Sequence, residues 1–390
     1  MSYPTKKLWE IAQIINWRAY KRDELLEKGL TPILRVGNLF TRNDWYYSDL
    51  KLEDNKYIDN WDLIFAWSAS FWPFIWEWNR VIFHYHIWKI ICWNLILKEY
   101  LFLFLKLETE RLKEWWNWVG MIHITKWMME NLDVLLPPLP TQKAIVQKLD
   151  EAFARIDASI ELAQKNLENV EELGKSVLEG FIKENNFKIH ILENILVKKD
   201  LWLVRWQKEQ WMDKKITYLK MNNISNFNWE LLLENTVKVD VNNEELSKYL
   251  LEKWDFLFNT RNSFELVWKT ALFNLNGEYL FNNNILRFRF VENILPSYIN
   301  KLFLSNFIKN QLHEMKSWTT NVSAIYYKNL KNLKIPLPPL SKQKEIVEYL
   351  DRVFAVNAEL KRAYEEKIAH LRELKQSLLR EAFEGRLVKE

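Results

Sequence analysis

His84 and His86 stand two apart in a run that reads as a strand, which would put both imidazoles on one face. A metal site on that pair needs a cysteine or carboxylate companion, and the neighbouring residues supply none. The pair therefore reads first as satisfied strand or core residues. The chain has no Gly-x-Gly-x-x-Gly and no Gly-x-x-x-x-Gly-Lys-Ser/Thr phosphate cradle, and writing glycine for tryptophan restores neither. Pro137-Pro138 and Pro338-Pro339 both follow leucine, so the Asn/Asp-Pro-Pro-aromatic pattern of amino-methyltransferases is missing too. What remains is donor chemistry. Arg, Lys, Asn, Ser and Thr on loops can reach base edges and phosphates of nucleic acid. They gather at Arg18, Lys21 and Arg22, at Arg42 and Asn43, at Ser68 and Ser70, and at Arg205 and Lys208. Further groups are Thr260, Arg261, Asn262 and Ser263, and then Ser317, Thr319, Thr320, Asn321 and Ser323. Any one group is ordinary solvated surface; as a set spread over two halves, they are the candidate reading residues.

Two long helices must position these loops. The stretch from Pro137 to Ala154 returns 201 residues later, from Pro338 to Ala355, with 11 of 18 positions identical. Each Pro-Pro stops a strand, and Thr141 or Ser341 stands near the helix N-cap. In the first copy Leu149, Phe153, Ile156, Ile160, Ala163, Leu167, Val170, Gly174, Val177 and Phe181 alternate steps of four and three, a coiled-coil seam weakened only at Gly174. The second seam is less regular: Leu350, Phe354, Asn357, Lys361, Tyr364, Ile368, Leu371, Lys375, Leu378. Neither stripe can be buried alone, so the two helices are expected to pack on each other, with Asn357 and Lys361 at an end or facing another protein.

The segments before the helices echo each other as well. Arg35-Val36-Gly37-Asn38-Leu39 matches Lys220-Met221-Asn222-Asn223-Ile224, and Trp61-Asp62-Leu63-Ile64-Phe65 matches Trp254-Asp255-Phe256-Leu257-Phe258. Ile87-Trp88-Lys89 matches Ile285-Leu286-Arg287, and Tyr100 and Tyr298 follow at a shared offset. The order is the same in both halves, so the chain is a tandem duplication of a mixed α/β domain and a long helix.

With Leu-Pro-Pro-Leu leading twice into Gln-Lys-x-Ile-Val-x-x-Leu-Asp, the strand at 61–68 and the closing Leu-Leu-Arg-Glu-Ala-Phe-Glu-Gly-Arg-Leu at 378–387, the chain resembles the specificity subunit of Type I restriction-modification enzymes over essentially its whole length. The resemblance implies an α+β chain. Residues 1–138 form one target recognition domain, 139–185 a long helix, 186–337 a second recognition domain and 338–390 a second long helix, with the helices paired as an antiparallel coiled coil. It implies a non-catalytic subunit that reads a bipartite site in double-stranded DNA, one half per domain, with the helices as a ruler. Two modification (methyltransferase) subunits would dock on it and use S-adenosylmethionine, while this chain binds no cofactor and no metal; restriction motor-nuclease subunits would add cleavage. Helix pairing and docking would rest on Leu149, Phe153, Ile156, Ile160, Leu167 and Val170, and on Leu350, Phe354, Tyr364, Ile368 and Leu371. The residues alone leave two other readings open: a coiled-coil interaction scaffold without DNA affinity, and an enzyme fused to a recognition domain.

Composition permits this without demanding it. The net charge is only +4, but residues 185–337 sum to +6 while 139–184 sum to −3, so a polyanion partner is permitted. A single cysteine, Cys92, excludes an intramolecular disulfide and fits a reducing compartment, and Met1 to Gln13 lacks the apolar core of a secretory signal, so the cytoplasm is expected. The greasiest stretch, residues 95–107, contains Lys98, Glu99 and Lys106 and is too short to cross a membrane; it reads as a core helix.

One count is abnormal: 21 Trp against 7 Gly, where glycine ordinarily supplies about 7% of residues. Trp17, Trp45, Trp61, Trp78, Trp229 and Trp254 occupy Asn-, Asp-, Glu- and Lys-flanked turn positions that call for positive φ and no side chain. Trp67 and Trp76 instead sit in apolar runs suited to true tryptophan. The pattern points to glycine in the native chain at the turn positions, through a reassigned UGA codon, and to indoles left exposed or crowded if tryptophan is built there. Peptide mass analysis of protein from the native host should find glycine at Trp17, Trp61, Trp78, Trp229 and Trp254; tryptophan at most of these would end the idea.

Overall fold

Leu63–Ala66 and Phe256–Asn259 are buried along their whole length, as central strands covered on both faces must be. This computed structural model describes residues 3–387 apart from 42, 69–70, 120–123, 185–186, 202–203, 206, 212–213, 226–229 and 319–322. Packing divides the chain into two units, residues 1–164 with 366–390 and residues 165–365. The division falls within both long helices.

In the first unit Leu63–Ala66 lies between Ile87–Cys92 and Trp72–Ile75, with Ala12–Ile15 at the edge, all antiparallel. In the second, Phe256–Asn259 lies between Ile285–Phe290 and Thr270–Leu272, with Leu196–Leu201 outside. Each unit has a second sheet containing one parallel pair: Thr31–Leu34 with Val81–Phe83, and Ile216–Leu219 with Tyr279–Phe281. The duplication is therefore one of topology. The echo at Arg35 and Lys220 has a physical basis: Asn38 and Asn223 each accept a hydrogen bond from the backbone N–H three residues earlier, at 3.1 and 2.9 Å.

The matched tryptophans open the central strands in the same way. Trp61 and Trp254 both have φ of +73°, in the left-handed region, and both are about half exposed. A non-glycine residue pays ~1–2 kcal/mol there. The expected exposure holds for Trp61, Trp78 and Trp254, whereas Trp17 is half-buried and Trp229 lies outside the described residues. Trp67 and Trp76 bond like core indoles, donating Nε1–H to the carbonyls of Tyr85 (2.7 Å) and Asn79 (2.9 Å).

The apolar stretch expected as a core helix is Lys98–Val119. No helix among the described residues is long and apolar enough to cross a membrane. The long helices are Leu139–Glu184 and Leu340–Phe383. In the first unit, residues 139–164 meet residues 366–383 in opposite senses: Leu149, Phe153 and Ile156 share a cluster with Leu379, Ala382 and Phe383, edged by Ile160 and Leu371. Lys375 bridges both carboxylate oxygens of Asp157 at 2.7 Å. In the second unit Leu178 packs with Ile346, Val347 and Leu350, and Phe181 meets Tyr349 edge-on. Leu167, Val170 and Tyr364 are half-buried and Ile368 is buried.

Three seam expectations are corrected. Both helices begin at leucine, so Thr141 and Ser341 lie inside the first turn, and the carbonyls of Pro138 and Pro339 take the early N–H bonds. Asn357 is neither terminal nor outward; it is buried and donates to the carbonyl of Val170 at 3.0 Å. Gly174 is not a weakness but a seat for the Phe354 ring, since a Cβ there would stand 2.2 Å from Phe354 Cε1.

Glycine in a helix interior is worse than alanine by ~1 kcal/mol, but overpacking costs ~1–3 kcal/mol. Gly174→Ala should therefore lower the melting temperature. Gly180→Ala, with nothing within 4 Å of its added Cβ, should raise it. Equal shifts of the same sign would refute the packing role.

Candidate nucleic-acid interface

The helix-opening glutamine ties each domain to its helix. Gln142 is fully buried; its Oε1 accepts from Leu97 N (2.8 Å), and its Nε2 donates to the carbonyls of Leu95 (3.0 Å) and Pro137 (2.8 Å). Gln343 repeats this with Leu295 N (2.8 Å) and the carbonyls of Asn293 (3.1 Å) and Pro338 (2.9 Å). The paired tyrosines add a second tie: Tyr100 donates to the Leu135 carbonyl at 2.9 Å and Tyr298 to that of Pro336 at 2.8 Å. Every buried polar atom in these ties has a partner, as a rigid support requires.

The central strand is held at its start by an acid–base pair. Asp62 accepts from Asp59 N (2.8 Å) and pairs with buried Lys89 (2.6 Å), whose ammonium also donates to the Tyr57 carbonyl (2.7 Å). Asp255 accepts from Glu252 N (2.9 Å) and is gripped by Arg289 at 2.5 and 3.0 Å, with buried Arg287 at 3.8 Å. Arg287 also pairs with Asp200 and donates to the carbonyls of Leu250 (2.6 Å) and Lys248 (2.9 Å). With the start of the strand fixed, its other end delivers the candidate loops.

In the second unit two separate stretches come together. Arg261–Asn262 pairs with Ser323–Ala324, which pairs with Ser317–Trp318, in one three-stranded sheet. Thr260 and Asn262 are half-buried, and Arg261 and Ser263 are exposed. Arg261 has no ion pair among the described residues and lies over the Tyr326 ring at 6.0 Å. Ser317 Oγ donates to the Ala324 carbonyl at 3.0 Å. Thr319, Thr320 and Asn321 lie outside the described residues, as do Arg42 and Ser70.

Other candidates are occupied. Arg18 forks onto Glu24 at 2.8 and 2.6 Å and lies over Tyr20, and that guanidinium, with the Lys21 N–H, lowers the Glu24 carboxyl to about 2. Arg205 is held by Glu245 at 2.6 Å with its side chain largely covered. Lys21, Arg22, Asn43 and Lys208 are exposed, and Ser68 is buried. A phosphate would have to compete with a carboxylate for Arg18 and Arg205, but not for Arg261.

Residue type and spacing do not reveal the turns beside these loops. His84 and His86 are not strand residues; they flank Tyr85 in a half-buried turn between two strands. The three rings touch, with centroids 4.4 Å apart for His84 and Tyr85 and 3.8 Å for Tyr85 and His86, and Trp67 stands edge-on to His86. Burial, then the neighbouring His86 and Arg35, push the His84 imidazole down to about 4. The matching turn in the second unit is Asn282-Asn283-Asn284. The echo that begins at Ile87 and Ile285 was a signal pointing at both turns, one residue too late. Among the described residues no three His, Cys, Asp or Glu side chains group as metal ligands.

The family profile described as Type I restriction modification DNA specificity domain matches residues 2–172 and 181–370. The EcoKI specificity subunit of Escherichia coli K12 is 25% identical over 273 residues, which cover 66% of this chain and 58% of that protein. The chain thus aligns with less than two thirds of that relative, although the match to the Escherichia coli EcoBI specificity subunit, 22% identical, covers 97% of this chain and 84% of the relative. Among solved structures, the HsdS subunit of Thermoanaerobacter tengcongensis superposes with a TM-score of 0.59 at 18% identity, covering 99% of this chain and 97% of the other. A chain from a structure of the assembly and conformational transition of the type I R-M system reaches 0.77 at 18% identity, covering 99% and 98%. These two likenesses establish the fold.

The state of His84 is measurable. NMR titration should place its midpoint near 4, against about 6.5 for a free imidazole. Folding favours the neutral ring, so its stabilising contribution is whole above about pH 6.5 and fades as pH falls towards 4. His84→Gln should flatten the loss of melting temperature across that window; a midpoint above 6 would contradict the burial.

Proposed function

The chain belongs to the Type I restriction modification DNA specificity family, and from that membership we propose that it is the DNA-reading, non-catalytic subunit of a multisubunit methyltransferase. Each unit reads one half of a split target in double-stranded DNA. Two modification subunits dock on the paired helices and carry S-adenosylmethionine, and restriction motor-nuclease subunits complete the complex in the cytoplasm.

The observation that best supports this reading is the duplicated frame. The same strands, glutamine ties and acid–base pairs recur in both units, while the loops at the strand ends differ in polar residues, with Ser68 in one unit where Arg261 stands in the other. Two copies of one frame with different polar ends suit a reader of two different half-sites. A scaffold without DNA affinity would need only the helices. Arg261, Asn262, Ser263, Lys21, Arg22, Asn43 and Lys208 are the accessible candidates for contact; phosphate contacts would fix register, and base-edge contacts would select sequence.

The helices are proposed to set the spacing. Four residues inserted after Gln164 and four after Glu365 lengthen the helical pair by ~6 Å, or nearly two base pairs at ~3.4 Å each. With the cognate methyltransferase, the purified wild-type chain should direct adenine methylation to a split motif, and neither methylation nor cleavage should come from the chain alone. The lengthened chain should keep both half-sites and gain one or two base pairs of spacer in methylome sequencing. Activity of the isolated chain, or altered half-sites after the insertions, would refute the assignment.

A further inference from the structure

Residues 84–86 and 282–284 occupy the same place in the two units, held by the same backbone bonds. His84 N donates to the Leu34 carbonyl at 3.0 Å, and Asn282 N to that of Leu219 at 2.9 Å. Ile87 N returns to His84 O at 2.9 Å, and Ile285 N to Asn282 O at 3.1 Å. The residue leaving the central strand closes each frame: Trp67 N bonds His86 O at 3.1 Å, and Thr260 N bonds Asn284 O at 2.7 Å. The flanks are the same residues, Phe83 and Ile87 in one unit and Phe281 and Ile285 in the other, all fully buried.

Inside this frame all three side chains differ: imidazole, phenol, imidazole in one unit and three carboxamides in the other. In the second turn the outer two serve the frame. Asn282 is buried and its Oδ1 accepts from Asn284 N at 3.2 Å, while the Asn284 amide points to Met221 Sδ at 4.0 Å. In the first turn the two imidazoles and the phenol form a three-ring cluster, with the imidazole centroids 5.1 Å apart. The middle residues are left over. Tyr85 and Asn283 are half-buried, and among the described residues neither the Tyr85 hydroxyl nor the Asn283 amide has a hydrogen-bond partner. Neither is among the buried unpartnered polar atoms, so both polar ends reach the surface. Neither turn carries a cationic side chain of the lysine or arginine type, so phosphate is a poor match. A carboxamide pairs with the N6/N7 edge of adenine in the major groove, and a phenol both donates and accepts.

We infer that Tyr85 and Asn283 are equivalent base-reading residues, one per unit, each presented by a fixed turn to one position of its half-site, with Asn283 selecting adenine. The inference rests on the DNA-reading function proposed above. It adds specificity determinants beside the loop residues Asn262 and Arg261, the latter charged and exposed and so suited to backbone contact.

The test uses the full chain assembled with its methyltransferase and a pool of randomised duplexes, with bound sequences counted at fixed salt. Asn283→Ala and Tyr85→Phe remove the polar group and little else, and melting temperatures within a degree of wild type verify folding. Asn283→Ala should lose a roughly ten-fold preference for adenine at one position of one half-site, with the other half-site and the spacer unchanged. Tyr85→Phe should relax one position of the other half-site. An unchanged profile for either variant overturns the assignment for its turn. Uniform weakening across all sequences with a shallower salt dependence marks a phosphate contact and overturns it too. If wild type itself selects no split motif, the proposed function fails first, and that result is separate from either variant's.

Discussion

A helix of more than forty residues that must carry a folded domain at its start cannot begin in a flexible loop. The constraint is met by one buried side chain per unit. Gln142 and Gln343 each satisfy one backbone N–H and two carbonyls, from the segment ahead of an earlier helix of the unit and from the Pro-Pro exit, while standing in the first turn of the long helix themselves. A serine or threonine cap would have satisfied the helix alone. Glutamine reaches further and joins three pieces of chain. Losing it would leave several buried polar groups unpaired at ~1–3 kcal/mol each, which explains why it stands in both copies of the motif while the residue before it is Thr141 in one and Lys342 in the other.

The same logic governs the start of each central strand. A left-handed residue turns the chain, and an aspartate next to it locks the turn by accepting from the backbone three residues earlier. The aspartate needs a cation, supplied from the neighbouring strand as Lys89 in one unit and as Arg287 and Arg289 in the other. A buried pair of this kind adds little net stability but is costly to break. Its service is positional, because it fixes strand register at one end so that the loop at the other end leaves from a defined point.

Much of this was legible beforehand, and the reasons differ by element. The helices and their pairing could be read from the seam because period and burial coincide at Leu149, Phe153 and Ile156. Asn357 and Gly174 were misread because a seam pattern grades residues by polarity, whereas the structure uses one to bond the Val170 carbonyl and the other as a seat for Phe354. Loop residues were chosen by type alone, and type does not reveal that Arg18 and Arg205 are already spoken for by Glu24 and Glu245. The turns at 84–86 and 282–284 share no residue, so the letters point to them only through their flanks, Phe83 and Ile87 in one unit and Phe281 and Ile285 in the other. Matching backbone bonds make the turns equivalent.

That contrast separates two kinds of position in a duplicated chain. Where side chains hold the frame, the copies agree or substitute like for like: Gln142 and Gln343, Tyr100 and Tyr298, Asp62 and Asp255. Where the frame is held by backbone bonds, it no longer dictates side-chain type and the copies diverge completely, even where one side chain, Asn282, adds a bond of its own. A turn pinned through its own N–H and carbonyl groups can change all three residues without altering the strands it joins. Divergence confined to such turns lets one fold, carried twice on a shared pair of helices, acquire two unrelated recognition chemistries while folding stability stays with the residues that remain alike.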